Sequence, residues 1–198
     1  MKPTNKPMKR LSLYLFLVLF TLQTPSQADD IRDFQIEGMS LEDSLLDYMS
    51  EESINENVSF VYEDKKFTIS MYKKSTEIYD QGVAITYKSN DKTYKIHGVQ
   101  GRVNTGNNIE DCYRKQDEVE KEISSMFDKV KKENWGILDF NYKKDEPSDR
   151  STFKGIAFDF NKGDSITITC YYYYNDPPHA LKISMTSNEF TEYLRTGK

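Results

Sequence analysis

Twice along this chain, short segments of alternating apolar and polar residues come in pairs joined by tight turns. Val83-Ala84-Ile85-Thr86-Tyr87 and Tyr94-Lys95-Ile96 flank the turn Ser89-Asn90-Asp91. Ile156 to Phe160 and Ser165 to Tyr174 flank Asn161-Lys162-Gly163-Asp164. A period of two turns one side of a strand inward and the other outward. Strands joined by so few residues run antiparallel, since a parallel pair needs a crossover of about a dozen residues or more. Val58–Phe60, Phe67–Met71 and Leu181–Met185 read as further strands, and Phe34–Ile36 as a short one ending at Gly38.

Three stretches have helical spacing instead. Ser40 with Asp43 forms a capping box ahead of Leu41, Leu45, Tyr48 and Met49. Asn108 with Asp111 opens the longest helix, whose apolar stripe is Ile109, Cys112, Val119, Ile123, Met126 and Val130. Gln116 is the one polar break in that stripe, and Trp135-Gly136 closes the helix. Thr186 with Glu189 caps a last helix carrying Phe190, Tyr193 and Leu194. The expected fold is therefore α+β: a mainly antiparallel sheet with about three helices, the longest packed on one sheet face. The two halves are loosely alike, hairpins followed by a helix, without a residue-level repeat.

The first residues obey different rules. Lys2, Lys6, Lys9 and Arg10 precede the 12-residue apolar run Leu11–Leu22, Pro25 follows, and Ser26-Gln27-Ala28 supplies small residues. That order is a secretory signal: residues 1–28 are expected to be removed between Ala28 and Asp29. The run is shorter than the roughly 20 residues that span a bilayer. No later segment is apolar enough to do so, so no integral membrane segment is expected after cleavage. Residues 29–198 then form one α+β domain.

Export fixes what the cysteines and charges mean. Cys112 lies on the long helix's inward stripe, and Cys170 shares the inward phase of Ile166 and Ile168. In an oxidising compartment the two are expected to form a disulfide rather than two separate buried thiols. The whole chain holds 27 basic and 32 acidic residues; residues 1–28 carry four of the basic ones and no acid. The mature chain is left with 23 against 32, a net charge of −9. Such a surface repels phosphate backbones, so a nucleic-acid partner is not expected.

No motif for catalysis, metal or nucleotide stands out, and no cofactor is implied. His97 shares its phase with Lys95 and His179 follows Pro177-Pro178, so both read as surface residues. Asp159, Asn161 and Asp164 lack the calcium-loop spacing, with Gly163 fifth and Cys170 twelfth. They read as hairpin turn chemistry. The most unusual feature is the run Tyr171 to Tyr174. Tyr172 and Tyr174 follow the inward phase; Tyr171 and Tyr173 follow the outward phase of Thr167 and Thr169. Tyr171 and Tyr173 are therefore the candidate binding residues, an aromatic platform for a sugar or a partner chain.

The opening Asp29-Asp30-Ile31-Arg32-Asp33-Phe34-Gln35-Ile36-Glu37-Gly38-Met39-Ser40, followed by Asp43-Ser44-Leu45-Leu46-Asp47-Tyr48, resembles a group of small exported proteins of marine alphaproteobacteria. Asn108 to Tyr113 and the Gly163-Asp164-Ser165 turn leading to Cys170 are similar as well. The likeness implies a periplasmic home in a Gram-negative cell and brings no activity with it. More distantly, a strand ending in Gly38-Met39-Ser40 resembles the start of periplasmic modules of the SmpA/OmlA type, although the lipobox cysteine of that family is missing. The expected function is that of an exported, soluble periplasmic module that binds another protein or an envelope component without catalysis. The alternative is a periplasmic hydrolase whose carboxylates meet only in the fold.

Overall fold

Two four-stranded meanders meet edge to edge in one sheet. The computed structural model describes residues 30–72, 78–80, 82–139, 150–174 and 177–197. The expected signal peptide, its cleavage point at Ala28 and Asp29, and most of the polar loop expected from Lys143 onward lie outside the described residues. The first meander is β1 (Val58–Val61), β2 (Phe67–Tyr72), β3 (Val83–Lys88) and β4 (Ile96–Gly106). The second is β5 (Lys131–Asp139), β6 (Thr152–Asp159), β7 (Ser165–Tyr172) and β8 (His179–Thr186). Their order across the sheet is β1-β2-β3-β4-β8-β7-β6-β5, and every pair is antiparallel.

A helix follows each meander: α2 (Ile109–Met126) after β4 and α3 (Asn188–Thr196) after β8, with α1 (Glu51–Glu56) ahead of β1. The fold is α+β and mostly sheet, as expected. Among the described residues no helix is long and apolar enough to cross a membrane.

The disulfide ties α2 to the sheet. Cys112 and Cys170 are bonded, with their Cα atoms 5.9 Å apart, and both are buried. Register carries the same face across the strands, from Cys170 to Leu181 to Val103. On this side the core runs from Ile31, Met39 and Leu45 through Ile85 and Val99 to Ile168. Gln116, the polar break in the stripe, is fully buried. Its amide nitrogen donates to the carbonyls of Lys154 on β6 and Ile168 on β7, both at 2.9 Å.

Several expected elements differ. The short strand expected at Phe34–Ile36 does not form: Ile36 makes only an isolated bridge to Met39, just after a 3-10 turn at Ile31–Asp33. The helix expected from Ser40 is replaced by a 3-10 turn at Leu45–Asp47 and by α1. Glu42 sits at φ 72°, a left-handed conformation no helix tolerates. The backbone there pairs with the start of β4 instead: Glu42 N–H donates to Ile96 O, Ile96 N–H to Asp43 O and Leu45 N–H to Tyr94 O. Half of the capping box survives, since the Asp43 carboxylate accepts from Ser40 N–H, while the Ser40 hydroxyl bonds the carbonyls of Arg32 and Phe34.

The long helix stops at Met126, because Phe127 turns into the core against Phe160, and Trp135-Gly136 falls inside β5. Nearly every residue of β5 is exposed, so it carries no alternation for a sequence to display. The last helix is capped by Ser187 rather than Thr186, and Glu189 reaches Lys88 at 2.8 Å.

Candidate functional site

Among the described residues, α1, α2 and the N-terminal turns cover one side of the sheet, and α3 covers an end of the other. There Phe190 and Tyr193 pack on Phe67 as a separate small cluster. The rest of that side is floored by short side chains. Register lines up Ala157, Thr167, Ser184, Gln100 and Ala84 from β6 to β3. A parallel row holds Ser165, Thr186, Gly98 and Thr86. β-branched threonine suits a pleated surface, and its short side chain leaves space above it. The outcome is a trough of about 630 Å³ crossing the strands. It spans four inter-strand steps from β6 to β3, or about 19 Å.

The trough has an apolar wall at each end. At one stand Phe190, Thr191 and Leu194 of α3; at the other stands Trp135 of β5. Trp135 lies flat on Gly155, where a Cβ would fall 2.2 Å from an indole carbon. Phe153 and Tyr171, register partners on β6 and β7, continue the aromatic surface beyond the indole.

A cationic margin completes the site. Lys182 on β8 and Arg102 on β4 are register partners on this open side. The Lys182 ammonium sits 4.9 Å from the centre of the Tyr171 ring, and the Arg102 guanidinium 5.3 Å from that of Tyr173. Neither cation has a carboxylate within 4.0 Å among the described residues, whereas Asp159 at the far margin faces Lys131 at 3.7 Å. Like charges placed directly opposite across two strands repel. The tyrosine faces offset part of that cost through their quadrupoles.

The expected platform is present in altered form. Tyr171 and Tyr173 do share one side, with rings 6.1 Å apart and 12° from parallel. Tyr171 is half-buried, but Tyr173 is only 9% exposed, so it is not the outward residue the alternation implied. Tyr172 and Tyr174, expected inside, are half-buried. β7 ends at Tyr172, and beyond it the backbone turns to other partners. Tyr173 N–H donates to His179 Nδ1 and Tyr174 N–H to the Ser151 hydroxyl. Sequence reasoning missed Trp135, Lys182 and Arg102. Lys182, a lone cation between Leu181 and Ile183 in a clear strand, was the signal at hand.

Both histidines are buried, not on the surface. His97 is 5% and His179 4% exposed, and burial pushes both imidazoles below their ordinary value. His179 Nδ1 accepts the Tyr173 N–H, which requires the neutral ring. His97 Nδ1 lies 3.0 Å from the Ser187 hydroxyl and 4.0 Å from Glu189. A Ser-His-acid relay needs the serine and the acid on opposite ring nitrogens. Here both approach the same nitrogen, and the Ser187 oxygen already caps α3 by accepting from Phe190 N–H. Among the described residues, the carboxylates whose ionisation the fold shifts are pushed down. Asp30 is held at about 2 by the hydrogen bond from Arg32, Asp91 is lowered by Thr93, Asp64 by the Lys66 N–H and Glu189 by Lys88. A general acid of the glycosidase kind needs a carboxyl pushed up.

Comparison of the chain with family models, curated proteins and solved structures finds no match.

Proposed function

We propose that the chain is an exported periplasmic protein that acts by binding, and that it holds a partner protein or envelope component in the trough on the open side of its sheet. The observation that carries the reading is the trough itself. An antiparallel sheet can leave one face to water without cost. This face, however, is concave, with an indole and an apolar helix face at its ends, Lys182 in its lining and Arg102 beside Lys182 in register. That mix of apolar walls and few polar groups suits a ligand. The signal-like residues 1–28 and the buried disulfide agree with an oxidising compartment. The low-lying carboxylates and the misplaced Ser187 favour binding over the hydrolytic alternative.

The test fills the site. Ser184 lies on the trough floor, so Ser184→Trp places a ring where a ligand would rest. The purified protein and this variant are immobilised and exposed to envelope extract of the native cell. The reading expects one component retained by the parent and lost by Ser184→Trp, with circular dichroism showing the variant folded, since Ser184 is 7% exposed and the added ring lowers stability somewhat. Equal retention by both would overturn it.

A further inference from the structure

Resting on that reading, we infer that the trough takes a short acidic oligosaccharide, with one sugar carboxylate between Lys182 and Arg102 and a sugar ring on Trp135. Three independent features converge on this class of ligand.

The first is charge. Two cations are register partners on adjacent strands, their heads over the neighbouring rings of Tyr171 and Tyr173, in a chain whose acids outnumber its bases by five. An anion between them converts a repulsive pair into two attractive ones, and a guanidinium presents the fork that a planar carboxylate accepts. The second is the floor. Thr167, Ser184, Thr86 and Gln100 offer methyl groups beside hydroxyls and an amide. A sugar ring has the same mixed character, C–H faces with equatorial hydroxyls. The apolar stripe of a partner helix would leave those polar groups unmatched in the contact. The third is the wall. Trp135 lies over Gly155 at one end of the trough, which leaves its other face free, and an aromatic face packs well on the C–H side of a sugar ring. The length of about 19 Å suits a few sugar units in a row.

An extended acidic peptide satisfies the charge but not the hydroxylated floor, and it is the competing outcome. The chain's single tryptophan is Trp135, so its fluorescence reports directly on the site. The probes are oligogalacturonate, the same oligomer with its carboxylates methyl-esterified, and oligoglutamate of similar length. The inference expects the acid sugar to shift the emission and the other two to leave it unchanged. Lys182→Gln and Arg102→Gln are each expected to weaken binding about tenfold, the loss of one charge-assisted contact, with melting temperature unchanged. Binding of the ester equal to that of the acid would overturn the role of the cations. Binding of oligoglutamate without the sugar would overturn the ligand class. If no probe binds while Ser184→Trp still abolishes envelope capture, the ligand class fails and the trough stands; if capture does not depend on Ser184 either, both fall.

Discussion

The indole of Trp135 rests on Gly155, and the strand carrying the tryptophan shows no alternation of its own. Gly155 is buried on β6 with an ordinary backbone conformation, so its role is to leave room for the ring rather than to reach an unusual φ. Gly155→Ala places a methyl 2.2 Å from the indole and forces the ring off the sheet. The variant is expected to lose about 1–3 kcal/mol, the usual cost of overpacking, and to shift Trp135 emission to the red. Unchanged emission and melting temperature would show that the ring does not lie there in solution.

Removing the disulfide isolates what holds α2 down. The bond closes a loop with a sequence separation of 58, which the chain-entropy model values at about 4 kcal/mol. Cys112→Ser with Cys170→Ser is expected to lower urea-unfolding stability by about that amount. Peptide mapping of the parent without reductant should show the two cysteine peptides joined. Thiol labelling of both residues in the oxidised protein would contradict the structure.

Acid sensitivity follows from the histidines. Each has a folded pKa below its unfolded value of 6.5, burial being the main cause. The unfolded chain therefore binds more protons as pH falls through that value, and stability drops. The shifted carboxylates act lower, below their unfolded values of 3.8 and 4.5. Melting temperature is thus expected to decline already between about pH 7 and pH 5.5. Glutamine offers both a donor and an acceptor without titrating, so His97→Gln with His179→Gln should flatten that first decline. A parent profile that is flat above pH 5.5 would contradict the burial of neutral imidazoles.

The two platform tyrosines separate by burial. Tyr173→Ala is expected to cost about 3 kcal/mol and Tyr171→Ala about 1 kcal/mol, in line with the area each ring removes from water. Equal losses in thermal denaturation would mean that the two rings are equally enclosed.

Strand order aside, the architecture was readable wherever one face of an element is buried and the other wet. β3, β7 and β8 announced themselves by alternation, and Cys112 and Cys170 by their inward phases. β5 did not, because a strand exposed along nearly its whole length has no contrast to display. The N-terminal helix failed for a different reason. Its capping acid is real, but Glu42 in a left-handed conformation and the carbonyls of Tyr94 and Ile96 redirect the backbone, and those partners are some 50 residues away. Gln116 looked like a defect in a helical stripe and proves to be a tie between α2 and two strands. The trough was hidden for a related reason. It is made of small residues that say little singly, and only the register across β6, β7, β8, β4 and β3 brings them into rows.

Cross-linking in the living cell tests the central claim, binding on the open side of the sheet, most directly. A photoreactive phenylalanine analogue is placed at Thr167, on the trough floor, and in a second strain at Asp117, on the exposed side of α2. Irradiation is expected to yield one discrete adduct from position 167 and none from 117, with the 167 adduct lost when Ser184→Trp is added. A discrete adduct from 117, with none from 167, would place the working surface on the helical side and contradict the account.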